Sequence, residues 1–385
     1  MKGKQMKNYI YADNAATTRL DDAAFDAMLP YLKENYANPS QPYSFSRKTK
    51  HALKESRRII AECINAEPSE IFFTSGGTES DNWAIKNYTS ASDVRYVTTS
   101  AIEHHAVLNA AKNADCIHTI IPVDECGYVK SEKLSEILNR PRDAAVSCES
   151  TLVSVMLANN EIGTIEPIGE LAAIAHEKGA LFHTDAVQAV GHIPVDVKRL
   201  GVDMLSASAH KFNGPKGIGF LYSKNGRLRP FHDGGAQEFG MRAGTENVAY
   251  IVAMAAALKA NCEAMAANIQ RITETENAFV SELNNTQIDY IRNGSGHRIP
   301  GNVSISIKNA DGEMLLHRLD LMGICVSTGS ACDSVNTQVS HVIKAIDVPE
   351  EYAKGTIRIS FGKYNTPEEA LEIARAISKV CGGRI

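Results

Sequence analysis

An alternation constrains this chain more than any other feature. Over the first two-thirds, short runs rich in β-branched and aromatic residues trade places with longer helix-forming stretches. Residues 71–74, 94–98, 117–121, 152–157, 181–184, 204–207 and 218–222 read as strands, and 80–88 and 167–178 as helices. Strands separated by helices join as parallel neighbours through crossovers, which places helices on both faces of a largely parallel sheet. Sheets of this kind bind ligands in the loops at the carboxyl ends of their strands. An earlier stretch, 21–31, reads as a helix with Asp21 as its N-cap.

Beyond about residue 245 the texture changes. The Ala-rich run AYIVAMAAALKANCEAMAANIQ (249–270) predicts one long helix by propensity. Alternating segments at 302–307 and 356–360 follow, then a last helix at 367–380, so a smaller α+β domain is expected after a connecting helix. At 385 residues the chain is long enough for two domains without disulfide or metal staples. Its 40 basic and 45 acidic residues leave a formal charge of −5, which argues against broad nucleic-acid binding. The longest apolar run, 248–258, is short for a membrane span of roughly 20 residues, and no signal peptide is recognisable at the start. Eight cysteines without a CxxC pair, and no export signal, predict reduced thiols in the cytoplasm.

Several loops carry chemistry. Ser75-Gly76-Gly77-Thr78-Glu79-Ser80 joins a strand to a helix, where glycines and free N–H groups suit a phosphate; an ordinary capped turn has the same composition. It is not a Walker A loop, because no GK[ST] follows. Asp185 stands at a strand end, fit either to pair with a cationic ring nitrogen or to serve as a helix N-cap. Lys211 lies among small and polar residues in a turn, the setting of a Schiff-base lysine and also of a surface one. Cys332, in Ser327-Thr328-Gly329-Ser330-Ala331-Cys332, reads as an accessible thiol, whereas Cys325 reads as core. His104 and His105 adjoin each other after a strand; one can stack on a ligand or move protons, and a satisfied structural histidine is the alternative. Arg358, within a strand, binds an anion if it points inward and means nothing if it faces solvent.

In order and spacing, these signals resemble the cysteine desulfurases of the NifS/IscS type, fold type I pyridoxal phosphate enzymes. The resemblance runs from YADNAATT (11–18) through TSGGTESDN (74–82), IEHHAV (102–107), ANNEIG (158–163), HTDAVQ (183–188), SAHKFNGPKG (208–217), MRAGTEN (241–247) and STGSAC (327–332) to IRISFG (357–362). It implies a large domain, 13–258, with a mostly parallel seven-stranded sheet. A smaller α+β domain would comprise 1–12 and 259–385 and carry the cysteine loop at about 325–340.

By resemblance, Lys211 carries pyridoxal 5'-phosphate, Asp185 pairs with the ring nitrogen, Gln188 bonds the ring phenolate oxygen and His104 stacks on the ring. Gly77, Thr78, Ser208 and His210 would hold the phosphate, with Thr245 reaching the phosphate of the neighbouring subunit of an obligate homodimer. Arg358 and Asn160 would clamp the substrate carboxylate. The implied reaction turns L-cysteine into L-alanine, leaving a persulfide on Cys332 for a transient acceptor protein in iron–sulfur cluster assembly or tRNA thiolation. Lys211, His104 and Cys332 are thus the expected catalytic residues, with no metal. A selenocysteine lyase and an aminotransferase of the same fold are the alternatives. A nicotinamide dehydrogenase is disfavoured because no GxGxxG follows the first strand, and a non-catalytic protein on this scaffold because Lys211 and Asp185 are both present.

Overall fold

A computed structural model describes residues 9–89, 96–140, 151–328 and 339–382. Its first part runs β1 (Ile10–Tyr11), α1 (Asp22–Lys33), α2 (Arg47–Cys63), β2 (Ile71–Thr74), α3 (Gly77–Thr89), β3 (Tyr96–Ser100), α4 (His105–Lys112), β4 (Ile117–Ile121) and α5 (Ser131–Leu138). It continues through β5 (Thr151–Ser154), α6 (Ile168–Glu177), β6 (Leu181–Asp185), α7 (Val197–Leu200), β7 (Met204–Ser208) and β8 (Gly219–Ser223). The expected seven-stranded sheet forms in the order β2-β8-β7-β6-β5-β3-β4. All its pairings are parallel except those of β8, which runs antiparallel to β2 and β7. Six strands therefore end on one edge, and the loops that follow them gather there.

Two strands depart from the sequence reading by more than one residue at a boundary; three others shift by one. The 94–98 run is described as strand only from Tyr96 and extends to Ser100. The 152–157 run is strand over Thr151–Ser154; beyond it the Val155 and Leu157 N–H groups still donate to the His183 and Asp185 carbonyls of β6, while the Met156 N–H turns to the Glu103 carboxylate (2.8 Å). Asp21 caps α1 as expected, accepting from the Ala23 N–H at 3.0 Å.

The second part comprises α8 (Val248–Glu263), α9 (Met265–Asn284), β9 (Tyr290–Arg292), β10 (Asn302–Ile307), α10 (Gly312–Leu321), β11 (Ile324–Cys325), α11 (His341–Ala345), α12 (Glu350–Ala353), β12 (Thr356–Ser360) and α13 (Pro367–Gly382). A three-stranded antiparallel sheet, β12-β10-β9, has its own apolar core with α9, α10 and α13. The N-terminal β1 pairs with β11 beside it. Cys325, expected in the core, is only half-buried there.

The single Ala-rich helix is instead two, bent by 74° about Ala264. No proline or glycine marks the break; packing does. Helix α8 buries Ile251, Ala253, Met254, Ala257 and Leu258 in the core of the large sheet, whereas α9 turns Ile272, Phe279 and Leu283 toward the small one. Asn261 fixes the end of α8 by donating to the Phe212 carbonyl (2.6 Å) and accepting from Lys363 (3.2 Å). No single helix among the described residues is long and apolar enough to cross a membrane.

Candidate active site

A cavity of about 350 Å³ lies at the strand ends. Ten of the residues singled out from sequence line it: Gly77, Thr78, His104, Asn160, Asp185, Gln188, Ser208, His210, Lys211 and Arg358. Thr245 lines a separate cavity with Glu238 and Arg242. Cys332 lies outside the described residues. The segment before it is tied to the site, since Ser327 and Arg358 exchange backbone hydrogen bonds at 2.7 and 3.1 Å. His341, at the start of α11 after it, lines the cavity as well.

Lys211 follows β7 in a tight turn. Its ammonium donates to the carbonyls of Ala15 (2.6 Å) and Ala16 (2.9 Å), and Gln188 donates to the same Ala15 carbonyl at 3.0 Å. Asp185 closes β6, only 4% exposed, and its Oδ1 accepts from the Val187 N–H at 2.9 Å. Burial raises its carboxyl to about 6. The helix N-cap alternative for Asp185 is not realised: the residues after it form a turn, and no helix starts there.

His104 caps α4, its Nδ1 accepting from the Ala106 N–H at 3.1 Å. Burial, reinforced by the Lys211 charge and then by His105, pushes the imidazole down to about 4. A neutral ring whose Nδ1 accepts must carry its proton on Nε2. His210, across the cavity, is also pushed down to about 4, first by burial, and its Nδ1 lies 3.1 Å from the Thr17 hydroxyl.

Arg358 resolves the choice its strand left open. It is 2% exposed and points inward, with Nη2 on Asp13 at 2.7 Å and Nη1 on the Asn160 carbonyl at 3.0 Å. Its buried Nε has no hydrogen-bond partner among the described residues. Asn160 therefore touches Arg358 through its backbone.

This arrangement agrees with known proteins. A family model described as aminotransferase class-V matches residues 10–373. The chain is 46% identical to the cysteine desulfurase IscS of Dictyoglomus turgidum, over 94% of this chain and 92% of that one. It is 42% identical to IscS of Clostridium botulinum, over 97% and 95%. The chain belongs to the class-V aminotransferases, among the cysteine desulfurases. The solved structure of a NifS-like protein superposes with a TM-score of 0.89 at 36% identity, covering 97% of this desulfurase chain and 100% of its own.

Enzymes of this family use pyridoxal phosphate, and the residues present fit that group. Gly77 opens α3, whose first N–H groups have no intrahelical partner and favour an anion. A Cβ at Gly77 would stand 2.7 Å from the Val187 side chain, so only glycine leaves this edge of the cavity open. A basic amine, a buried carboxyl and a helix N-terminus on one wall match an aldehyde, a ring nitrogen and a phosphate.

Sequence reading missed Asp81, Glu103, Glu161 and His341, all of which line the desulfurase cavity. Asp81 was findable, because it lies four residues after Gly77 and so on the same helix face. Nothing in its local sequence brings His341 there.

Proposed function

We propose that this cavity binds pyridoxal 5'-phosphate through Lys211 and converts L-cysteine to L-alanine, with the sulfur retained on Cys332 as a persulfide. The convergence of Lys211, Asp185, His104 and Arg358 on one cavity carries this reading. When bound, the cofactor supplies an electron sink for the pair left at the substrate Cα. Asp185 would pair as a carboxylate with the ring nitrogen, Gln188 would bond the phenolate oxygen and His104 would stack on the ring. Gly77, Thr78, Ser208 and His210 would hold the phosphate. Arg358 takes the substrate carboxylate; its unpartnered Nε is the donor that an arriving anion would satisfy.

Lys211 removes the Cα proton with Nζ. The carbonyls of Ala15 and Ala16 that now accept from it would hold the resulting ammonium until the proton returns to the product. The resting tautomer of His104 makes it a donor at Nε2, suited to giving a proton before taking one. The Cys332 thiolate attacks the substrate sulfur and the C–S bond breaks. Sulfur stays on the enzyme and the three-carbon skeleton leaves as alanine, which balances L-cysteine plus thiol against L-alanine plus persulfide.

Thr245 serves the neighbouring subunit of a homodimer, a reading supported by its distance from its own cavity and by exposed Phe239 nearby. The separate apolar cores of the two sheets support a division near residue 258. A cytoplasmic enzyme handing sulfur to an iron–sulfur scaffold or a tRNA-thiolating protein completes the reading. Lys211→Ala tests it: the cofactor's visible absorbance band should vanish and alanine formation should fall at least about a thousandfold. A retained band would remove Lys211 from its role.

A further inference from the structure

Behind Asp185 lies a buried polar cluster that the reaction above does not use. His183 and Asp185 are two apart on β6 and so share one face of the sheet. Ser154 of β5 is registered with His183, and Ser206 of β7 with Asp185. His183 meets the Ser154 hydroxyl through Nδ1 at 2.8 Å and the Ser206 hydroxyl through Nε2 at 3.0 Å. Helix α3 packs over this face and lowers Asp81 onto it. The Asp81 carboxyl lies against the Asp185 carboxyl and the Ser206 hydroxyl, while its Oδ1 stands 3.8 Å from His183 Nε2 and has no hydrogen-bond partner among the described residues. Asp81, His183, Ser154 and Ser206 are each no more than 1% exposed.

Two carboxyl groups in contact at buried positions disfavour ionising together; they tend to share one proton. Their surroundings decide where it sits. Asp185 faces the Lys211 ammonium and accepts from the Val187 N–H, both of which favour its charged form. Asp81 faces Asp185, Glu103 and a His183 that burial holds neutral, its imidazole pushed down to about 3. Burial and the two acidic neighbours raise Asp81 well above the carboxylate range. The bare Oδ1 agrees with this assignment. A carbonyl oxygen of a neutral acid tolerates a missing partner far better than a buried carboxylate oxygen does.

We propose that Asp81 is a positioning residue: a neutral carboxylic acid beneath the site that donates its O–H to Asp185. Asp185 is thereby kept anionic and fixed in orientation toward the cavity. The ring nitrogen as the target of Asp185 rests on the proposed function; the location of the proton on Asp81 does not.

Infrared spectroscopy of enzyme labelled with carboxyl-¹³C aspartate reads that proton directly, with or without cofactor. Buried glutamic acids keep their unshifted band under this label, so a band moved by ¹³C belongs to aspartate. At about pH 7.5 a protonated-aspartic-acid carbonyl band should be present, lost in Asp81→Asn and retained in Asp185→Asn. Absence of the band from wild type, or its loss only in Asp185→Asn, would overturn the assignment. In the loaded enzyme, Asp81→Asn keeps a donor to Asp185 and should hold cofactor within about threefold of wild type. Asp81→Ala should weaken cofactor binding by about tenfold to a hundredfold, the worth of a hydrogen bond to a charged group. Equal losses in Asn and Ala variants, or no loss in Ala, would contradict the donor role. Should Asp81→Ala not fold, the infrared band and the Asn variant still decide.

Discussion

The two sides of the cavity are built differently. On the large-sheet side, the Asp185 carboxyl rests on a buried web of Asp81, His183, Ser154 and Ser206 that reaches into the protein. On the small-sheet side, Arg358 projects from β12 with Asp13 on one nitrogen, a carbonyl on a second and, among the described residues, no partner on the third. One wall is backed by protein, while the other leaves a donor for an anion. The contrast suits a group that stays bound and a substrate that comes and goes. A resident ring needs a fixed charge opposite its nitrogen. An exchanging carboxylate needs a donor that does not cost a full unmade hydrogen bond in every cycle, and Asp13 and the Asn160 carbonyl lower that cost.

Removing Arg358 should break the comparison most visibly. Arg358→Ala is expected to raise KM for L-cysteine about tenfold to a hundredfold, with kcat and the cofactor band changed much less. Steady-state kinetics beside an absorbance spectrum check this. An unchanged KM would mean that the substrate carboxylate binds elsewhere.

The backed wall makes a prediction about pH. His183 is neutral in the folded protein down to about 3, whereas an unfolded histidine titrates near 6.5. Between those values the unfolded state binds the extra proton, so stability present above pH 6.5 is lost as pH falls toward 3. A single such group contributes about 1.4 kcal/mol per pH unit within that window. His183→Gln lacks it. Whatever its absolute stability, this variant should lose less stability than wild type between about pH 6.5 and 4, measured by denaturant unfolding of the cofactor-free protein. Parallel pH profiles would mean that His183 is not buried in its neutral form.

Much of the backed wall was legible in the sequence, because its strands alternate with helices and its functional residues stand at strand ends. Lys211, Asp185 and Gly77 could be placed on one edge from topology alone. The receptive wall was harder. Strand β12 is buried on both faces, so the alternation around Arg358 could not say which way it points. The bend at Ala264 was invisible for a related reason: helix propensity is high on both sides of it, and only the existence of two cores forces the chain to turn. Asp81 could be placed on the Gly77 face of its helix from spacing, yet its chemistry becomes visible only once β6 lies beneath it.

The central claim is that this cavity turns L-cysteine into alanine with the sulfur left on Cys332, and it is tested most directly by one comparison. Alanine and sulfide release from L-cysteine, with a thiol reductant present, should be measured in wild type and Cys332→Ala. Wild type is expected to form both products. Cys332→Ala should keep the cofactor band yet form neither alanine nor a persulfide. Equal product formation by the two enzymes would make Cys332 dispensable and contradict sulfur transfer at this site.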